Sequence, residues 1–119
     1  MANGWLTTQV TDTARGQPAD GIAVQLYRLE QGERVHLTTT RTNAEGRTDR
    51  PILAQDRFRI GLYVLIFKVG DYFRKTGQVA DDPAFLDSVP IRFGVADADA
   101  HCHVPLMVSP HGYSIYRGG

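Results

Sequence analysis

The chain has 119 residues, enough for one domain with a sizeable core. Apolar residues make up 42% and charged residues 22%, the balance of a soluble globular protein rather than a disordered or membrane-embedded one. Thirteen basic side chains offset thirteen acidic ones, so no net field draws the chain to nucleic acid or to an anionic membrane, and neither is expected as a partner.

The one cysteine, Cys102, excludes an intrachain disulfide. No apolar run approaches the roughly 18 residues that a membrane span needs. The first residues, Met-Ala-Asn-Gly-Trp-Leu-Thr-Thr, carry neither a basic stretch nor an apolar one, so the expected location is the cytoplasm.

In chain order, Trp5 to Asp12 alternates. Leu6, Thr8 and Val10 share one side, and Trp5, Thr7, Gln9 and Thr11 the other, which predicts a strand. Asp12 to Asp20, with Gly16 and Pro18, reads as a loop. Ile22 to Leu29 predicts a second strand and Val35 to Thr42 a third, separated by a turn at Gln31-Gly32-Glu33. Thr42-Asn-Ala-Glu-Gly-Arg47 is a tight turn: Asn43 favours an Asx-type bend, Gly46 tolerates positive φ, and Arg47 is held beside the strand ends. Thr48 to Leu53 reads as a short strand that Pro51 confines to an edge.

Gly61 to Val69 is the most apolar run and predicts a central strand. Gly70 to Gly77 predicts one or two helical turns with Asp71 as N-cap. Ala80 to Ser88 reads as a surface loop tethered by Phe85 and Leu86, Pro90 to Val95 as a strand, and Ala96 to Ala100 as a turn.

His101 to Val108 alternates again. Cys102, Val104, Leu106 and Val108 face a core, and His101 and His103 share the opposite face. Ser109-Pro-His-Gly112 supplies a turn, and Tyr113 to Arg117 a closing strand docked into an interface. About eight short strands spaced by turn signals predict a single all-β domain over residues 1–119, an antiparallel β-sandwich with one short helix. Open sheet edges of this kind are commonly paired between subunits, so at least a dimer is expected.

Three of the four histidines lie in the last nineteen residues, with Tyr113, Tyr116 and Arg117. Neutral imidazole accepts a proton near pH 7, which makes His101 and His103 candidate acid–base groups. A metal site would need three or four ligands, but Cys102 points the other way and His111 lies across a turn, so no metal is expected. Ser114 lacks the G-x-S-x-G context of a hydrolase elbow, and no glycine-rich loop cradles phosphate.

Several stretches resemble the 5-hydroxyisourate hydrolases related to transthyretin. They are Leu6-Thr-Thr-Gln-Val-Thr-Asp-Thr-Ala-Arg-Gly16, Thr42-Asn-Ala-Glu-Gly-Arg-Thr48, Val69-Gly-Asp-Tyr-Phe73, Phe85-Leu-Asp-Ser-Val-Pro-Ile-Arg-Phe-Gly94, His101-Cys-His-Val-Pro-Leu106 and Gly112-Tyr-Ser-Ile-Tyr-Arg-Gly-Gly119. The terminal Tyr-Arg-Gly separates this family from the transthyretin hormone carriers.

The resemblance implies a transthyretin-like two-sheet sandwich and a homotetramer, a dimer of dimers, with sites in a channel where the dimers meet. It implies opening of the cyclic amide of a small purine-derived substrate by water, without metal or organic cofactor. Carried over residue by residue, Arg47 and His103 fall on catalytic positions. Tyr116, Arg117, Gly118 and Gly119 fall among substrate-binding ones, and His101, on the same strand face as His103, is expected to bind substrate with them. Two positions depart: the family's first-strand histidine is Gln9 and its terminal serine is Gly119. Glutamine cannot carry a proton at neutral pH, so Gln9 is expected to orient water or substrate while His103 acts as base. The alternatives are a paralogue acting on another heterocycle and an impaired protein that binds a ligand without turning it over.

Overall fold

In the computed structural model, which describes residues 3–118, the chain forms two facing sheets. The elements run β1 (Trp5–Asp12), β2 (Gln17–Pro18), β3 (Ala23–Glu30), β4 (Glu33–Arg41), β5 (Leu53–Ala54), a 3-10 turn (Gln55–Arg57), β6 (Gly61–Phe67), α1 (Val69–Lys75), β7 (Val89–Val95), β8 (His101–Ser109) and β9 (Gly112–Ile115). One sheet has the order β2-β1-β8-β9, with β5 also on β1; the other has β4-β3-β6-β7.

The alternation in β1 and β8 explains the core. Leu6, Val10, Leu106 and Val108 are fully buried from one sheet, and Leu26, Leu65 and Phe67 meet them from the other. Each such side chain contributes about 1.5–3 kcal/mol by leaving water. The apolar run becomes β6, which lies between β3 and β7 as a central strand should. Helix α1 closes one end of the sandwich with Val69 and Phe73.

Several expectations need correction. The sandwich is not wholly antiparallel: β1 and β8 run parallel, with Trp5 opposite His101 and Thr7 opposite His103. Parallel neighbours need a long connection, and here the whole second sheet lies between them in sequence. The predicted 48–53 strand shrinks to Leu53–Ala54; Pro51 has no N–H to pair, and Ile52 N donates to Leu6 O at 2.8 Å. Gln17–Pro18, expected in a loop, pairs with the end of β1.

Asp71 does not cap α1. Lys68 holds the cap position without a side-chain bond, and Asp71 sits inside the first turn and pairs with Arg74 at 2.6 Å. Phe85 is 74% exposed and does not enter the core, meeting only the edge of the His111 ring with centres 5.9 Å apart; Ala84 and Leu86 pack inward instead. The closing strand ends at Ile115, and Gly118 bridges back to His103. Cys102 is half-buried, at the margin of the core rather than within it.

Candidate functional site

The parallel register of β1 and β8 builds the centre of the site. Residues of like parity on the two strands face the same outward side, so Trp5, Thr7 and Gln9 stand beside His101, His103 and Pro105. The Thr7 hydroxyl bridges both imidazoles, 2.5 Å from His101 Nε2 and 2.8 Å from His103 Nδ1. The Trp5 indole stacks on His101 with ring centres 4.6 Å apart and planes 12° from parallel. The two imidazole centres are 5.8 Å apart.

The Asn43–Arg47 turn delivers the cation. Asn43 Oδ1 accepts from Glu45 N at 2.9 Å and from Arg47 N at 3.2 Å, which closes an Asx-type bend. Gly46 has φ +76° and its carbonyl accepts from Val10 N at 2.8 Å, which pins the turn to β1. A Cβ at Gly46 would lie 2.4 Å from Val10 O, so no side chain fits there. Arg47 then lines an open cleft of about 470 Å³ with Trp5, Thr7, His101 and His103. Gln9 lies along the same face but turns toward the turn itself, donating to Glu45 O at 3.4 Å.

The tail closes the other side of the histidine pair. Gly118 N donates to His103 O at 2.9 Å, and a Cβ at Gly118 would come within 2.6 Å of His103 Cδ2. Glycine at this position lets the tail lie flat against the imidazole. Tyr116 and Arg117 line a second cleft of about 240 Å³, with Phe93, Cys102 and Ile115, and this cleft also reaches both histidines.

The electrostatics separate the groups. Burial, then the His101 ring, then the Arg47 guanidinium hold His103 below the ordinary imidazole value, against a hydrogen bond to the Thr7 backbone that pulls the other way. His103 is therefore neutral and able to accept a proton at pH 7. Burial pushes the Cys102 thiol up, and the nearby Arg117 charge offsets only part of this, so Cys102 is no ready thiolate. Among the described residues no three His, Cys, Asp or Glu side chains cluster so as to hold a metal ion. Nor is any helix there long and apolar enough to cross a membrane.

Of the residues singled out in the sequence, His101, His103 and Arg47 meet in one cleft and Gly118 touches His103. Gln9 stands on the same face without lining that cleft. Tyr116 and Arg117 lie in the second cleft, and Gly119 is outside the described residues. Thr7 and Trp5 were missed as site residues. Their parity with Gln9 was visible, but the strand that faces them was not.

Residues 6–118 match the model of the HIUase/Transthyretin family. The chain is 57% identical over 115 residues to a 5-hydroxyisourate hydrolase of Mesorhizobium japonicum, covering 97% of this chain and 92% of that one. It is 54% identical over 116 residues to 5-hydroxyisourate hydrolase 2 of Rhizobium meliloti, covering 98% and 97%. A crystal structure of (S)-allantoin synthase superposes with a TM-score of 0.92 at 40% identity; the match covers 99% of this chain and spans 44% of that one.

Proposed function

The chain belongs to the HIUase/Transthyretin family, and on that premise we propose that it is a hydrolase that opens the cyclic amide of 5-hydroxyisourate in urate and purine breakdown, toward 2-oxo-4-hydroxy-4-carboxy-5-ureidoimidazoline. The observation that carries the reading is His103, held neutral and half-buried, in one cleft with the Arg47 guanidinium.

His103 takes a proton from water as the water oxygen attacks the ring carbonyl. The carbonyl electrons move to oxygen, and Arg47 holds that oxyanion with charge-assisted hydrogen bonds. Collapse of the tetrahedral centre breaks the carbon–nitrogen bond, and His103 returns its proton to the leaving nitrogen. Gln9 orients water or substrate, while Tyr116, Arg117, Gly118, Gly119 and His101 hold the substrate. No step calls on a metal or organic cofactor.

The same reading makes the protein a cytoplasmic homotetramer, a dimer of dimers. What supports assembly is the open edge strand β9, whose Tyr113 and Ile115, with Tyr116 just beyond, are 46%, 42% and 57% exposed. A neighbouring subunit would cover this patch and satisfy the strand edge.

Gln9 supports a second reading, an altered pocket that opens another heterocycle or only binds one, because its amide cannot act as an acid or base near neutral pH and donates to Glu45 O. The decay of freshly generated 5-hydroxyisourate, followed by ultraviolet absorbance, decides between them. Acceleration that disappears in His103→Ala supports the hydrolase. No acceleration over the spontaneous rate moves the protein to the second reading.

A further inference from the structure

Thr7 stands between two imidazoles, and the geometry constrains their protons. Its Oγ1 has hydrogen-bond contacts only with His101 Nε2 and His103 Nδ1 among the described residues. A hydroxyl has one hydrogen to donate. If it is given to one ring, that ring nitrogen is bare, and the other contact is satisfied when the second ring nitrogen carries N–H. The two tautomers are then complementary.

Two further observations give the arrangement a direction. Trp5 lies flat over His101, and an indole face stabilises a positive charge above it. His103, by contrast, is where burial and Arg47 oppose a charge. A positive charge on this pair meets the Trp5 indole face at His101 and the Arg47 guanidinium at His103.

We propose that Thr7 is a positioning residue that couples the two histidines. His103 Nδ1–H donates to Thr7 Oγ1, and the Thr7 hydroxyl donates to His101 Nε2, which leaves His103 Nε2 bare as the base. The catalytic consequence rests on the hydrolase reading; the tautomers do not. When His103 Nε2 takes a proton from water, Nδ1–H passes to Thr7 Oγ1 and the Thr7 hydrogen passes to His101 Nε2. His103 is then neutral with N–H at Nε2, Thr7 is restored, and His101 carries the charge beneath Trp5. As His103 Nε2–H protonates the leaving nitrogen, the transfer runs back and both rings are reset.

Arg47, Asp49 and Arg50 face the pair from the loop across the cleft, and Asp97, Cys102, Tyr116 and Arg117 from the side of the tail. None of these is an imidazole, and Gln9 on the same face does not titrate near neutral pH.

Nitrogen-15 NMR of the intact protein at pH 7 tests the tautomers directly. Expected are Nδ1–H forms for both His101 and His103, retained in Thr7→Ser and lost to a mixture in Thr7→Val. A wild-type protein with Nε2–H on either neutral ring, or Thr7→Val rings unchanged from wild type, overturns the coupling. Valine suits a strand, and the serine variant controls for folding. In turnover of 5-hydroxyisourate, Thr7→Val should lower kcat by about 10²-fold, the lower end of what a positioned base contributes, with KM little changed and Thr7→Ser near wild type, and His101→Phe, which also removes a substrate contact, should lower kcat at least as far. Equal kcat in Thr7→Val and wild type overturns the relay. If wild-type protein turns over no 5-hydroxyisourate, the hydrolase reading falls alone, and the NMR tautomers still decide the coupling.

Discussion

Strand β1 carries a polar cluster near each end, and the two are built for different ends. At Thr7 the hydroxyl serves two half-buried imidazoles that open onto a cleft. At Asp12 a fully buried carboxylate accepts from Tyr72 Oη at 2.8 Å, Gln78 Nε2 at 2.9 Å and Arg15 N at 3.1 Å. Burial, reinforced by the Asp12 hydrogen bond and charge, pushes the Tyr72 hydroxyl up to about 12, so its proton stays in place at any ordinary pH. The Asp12 cluster is sealed and satisfied; it ties β1 to the end of α1. The Thr7 cluster is half open, and its protons can be redistributed. A polar group whose partners are complete holds structure, whereas one with a shared proton and solvent access is suited to chemistry.

That contrast can be broken from either side. The largest expected effect is on activity: Arg47→Ala should reduce kcat/KM for 5-hydroxyisourate by about 10²–10³-fold, as loss of an oxyanion donor does. Arg47 is exposed, so its melting temperature should stay at the wild-type value. A large drop in melting temperature with unchanged kinetics would place Arg47 with Asp12 rather than with Thr7.

Asp12→Ala should do the reverse. It leaves buried donors without an acceptor, at about 1–3 kcal/mol for each one left unpaired, and thermal denaturation should show a loss of several degrees. Turnover measured well below the transition should match wild type. A selective loss of kcat would show that the two clusters communicate along β1.

The smallest effect, in pH, sharpens the comparison. Because His103 is held below the ordinary imidazole value, it stays neutral until the medium is more acidic than about 6.5. The acid limb of the kcat/KM profile should therefore fall below that value. For stability the sign follows from linkage. A depressed pKa means that the unfolded chain binds the proton more readily, so this contribution is present above about 6.5 and is lost as pH falls through the folded value. Removing it in His103→Ala should flatten denaturation midpoints between neutral and mildly acidic pH. An acid limb above about 6.5 would contradict the environment described for His103.

Much of the architecture was legible because strand faces depend only on parity. The alternation of Leu6, Thr8 and Val10 against Thr7 and Gln9, and of Val104 and Leu106 against His101 and His103, survives unchanged in the structure. The tight turn at Asn43–Arg47 was legible for the same kind of reason: an Asx bend and a positive-φ glycine are local chemistry. The short edge strand and the helix cap were misplaced, since element ends depend on which neighbour completes their hydrogen bonds.

By itself, then, the sequence determined which side chains point outward, where the chain turns, and that two histidines and an arginine were available for a site. Only the tertiary structure decided that β8 lies parallel to β1. That pairing sets Thr7 against two histidines more than ninety residues away and puts Trp5 over one of them, while the tail returning along β8 lays Gly118 against the other. Parity is fixed by the geometry of one strand. Choosing a parallel partner across a long connection depends on how both sheets bury their apolar faces together, and no local pattern carries that information.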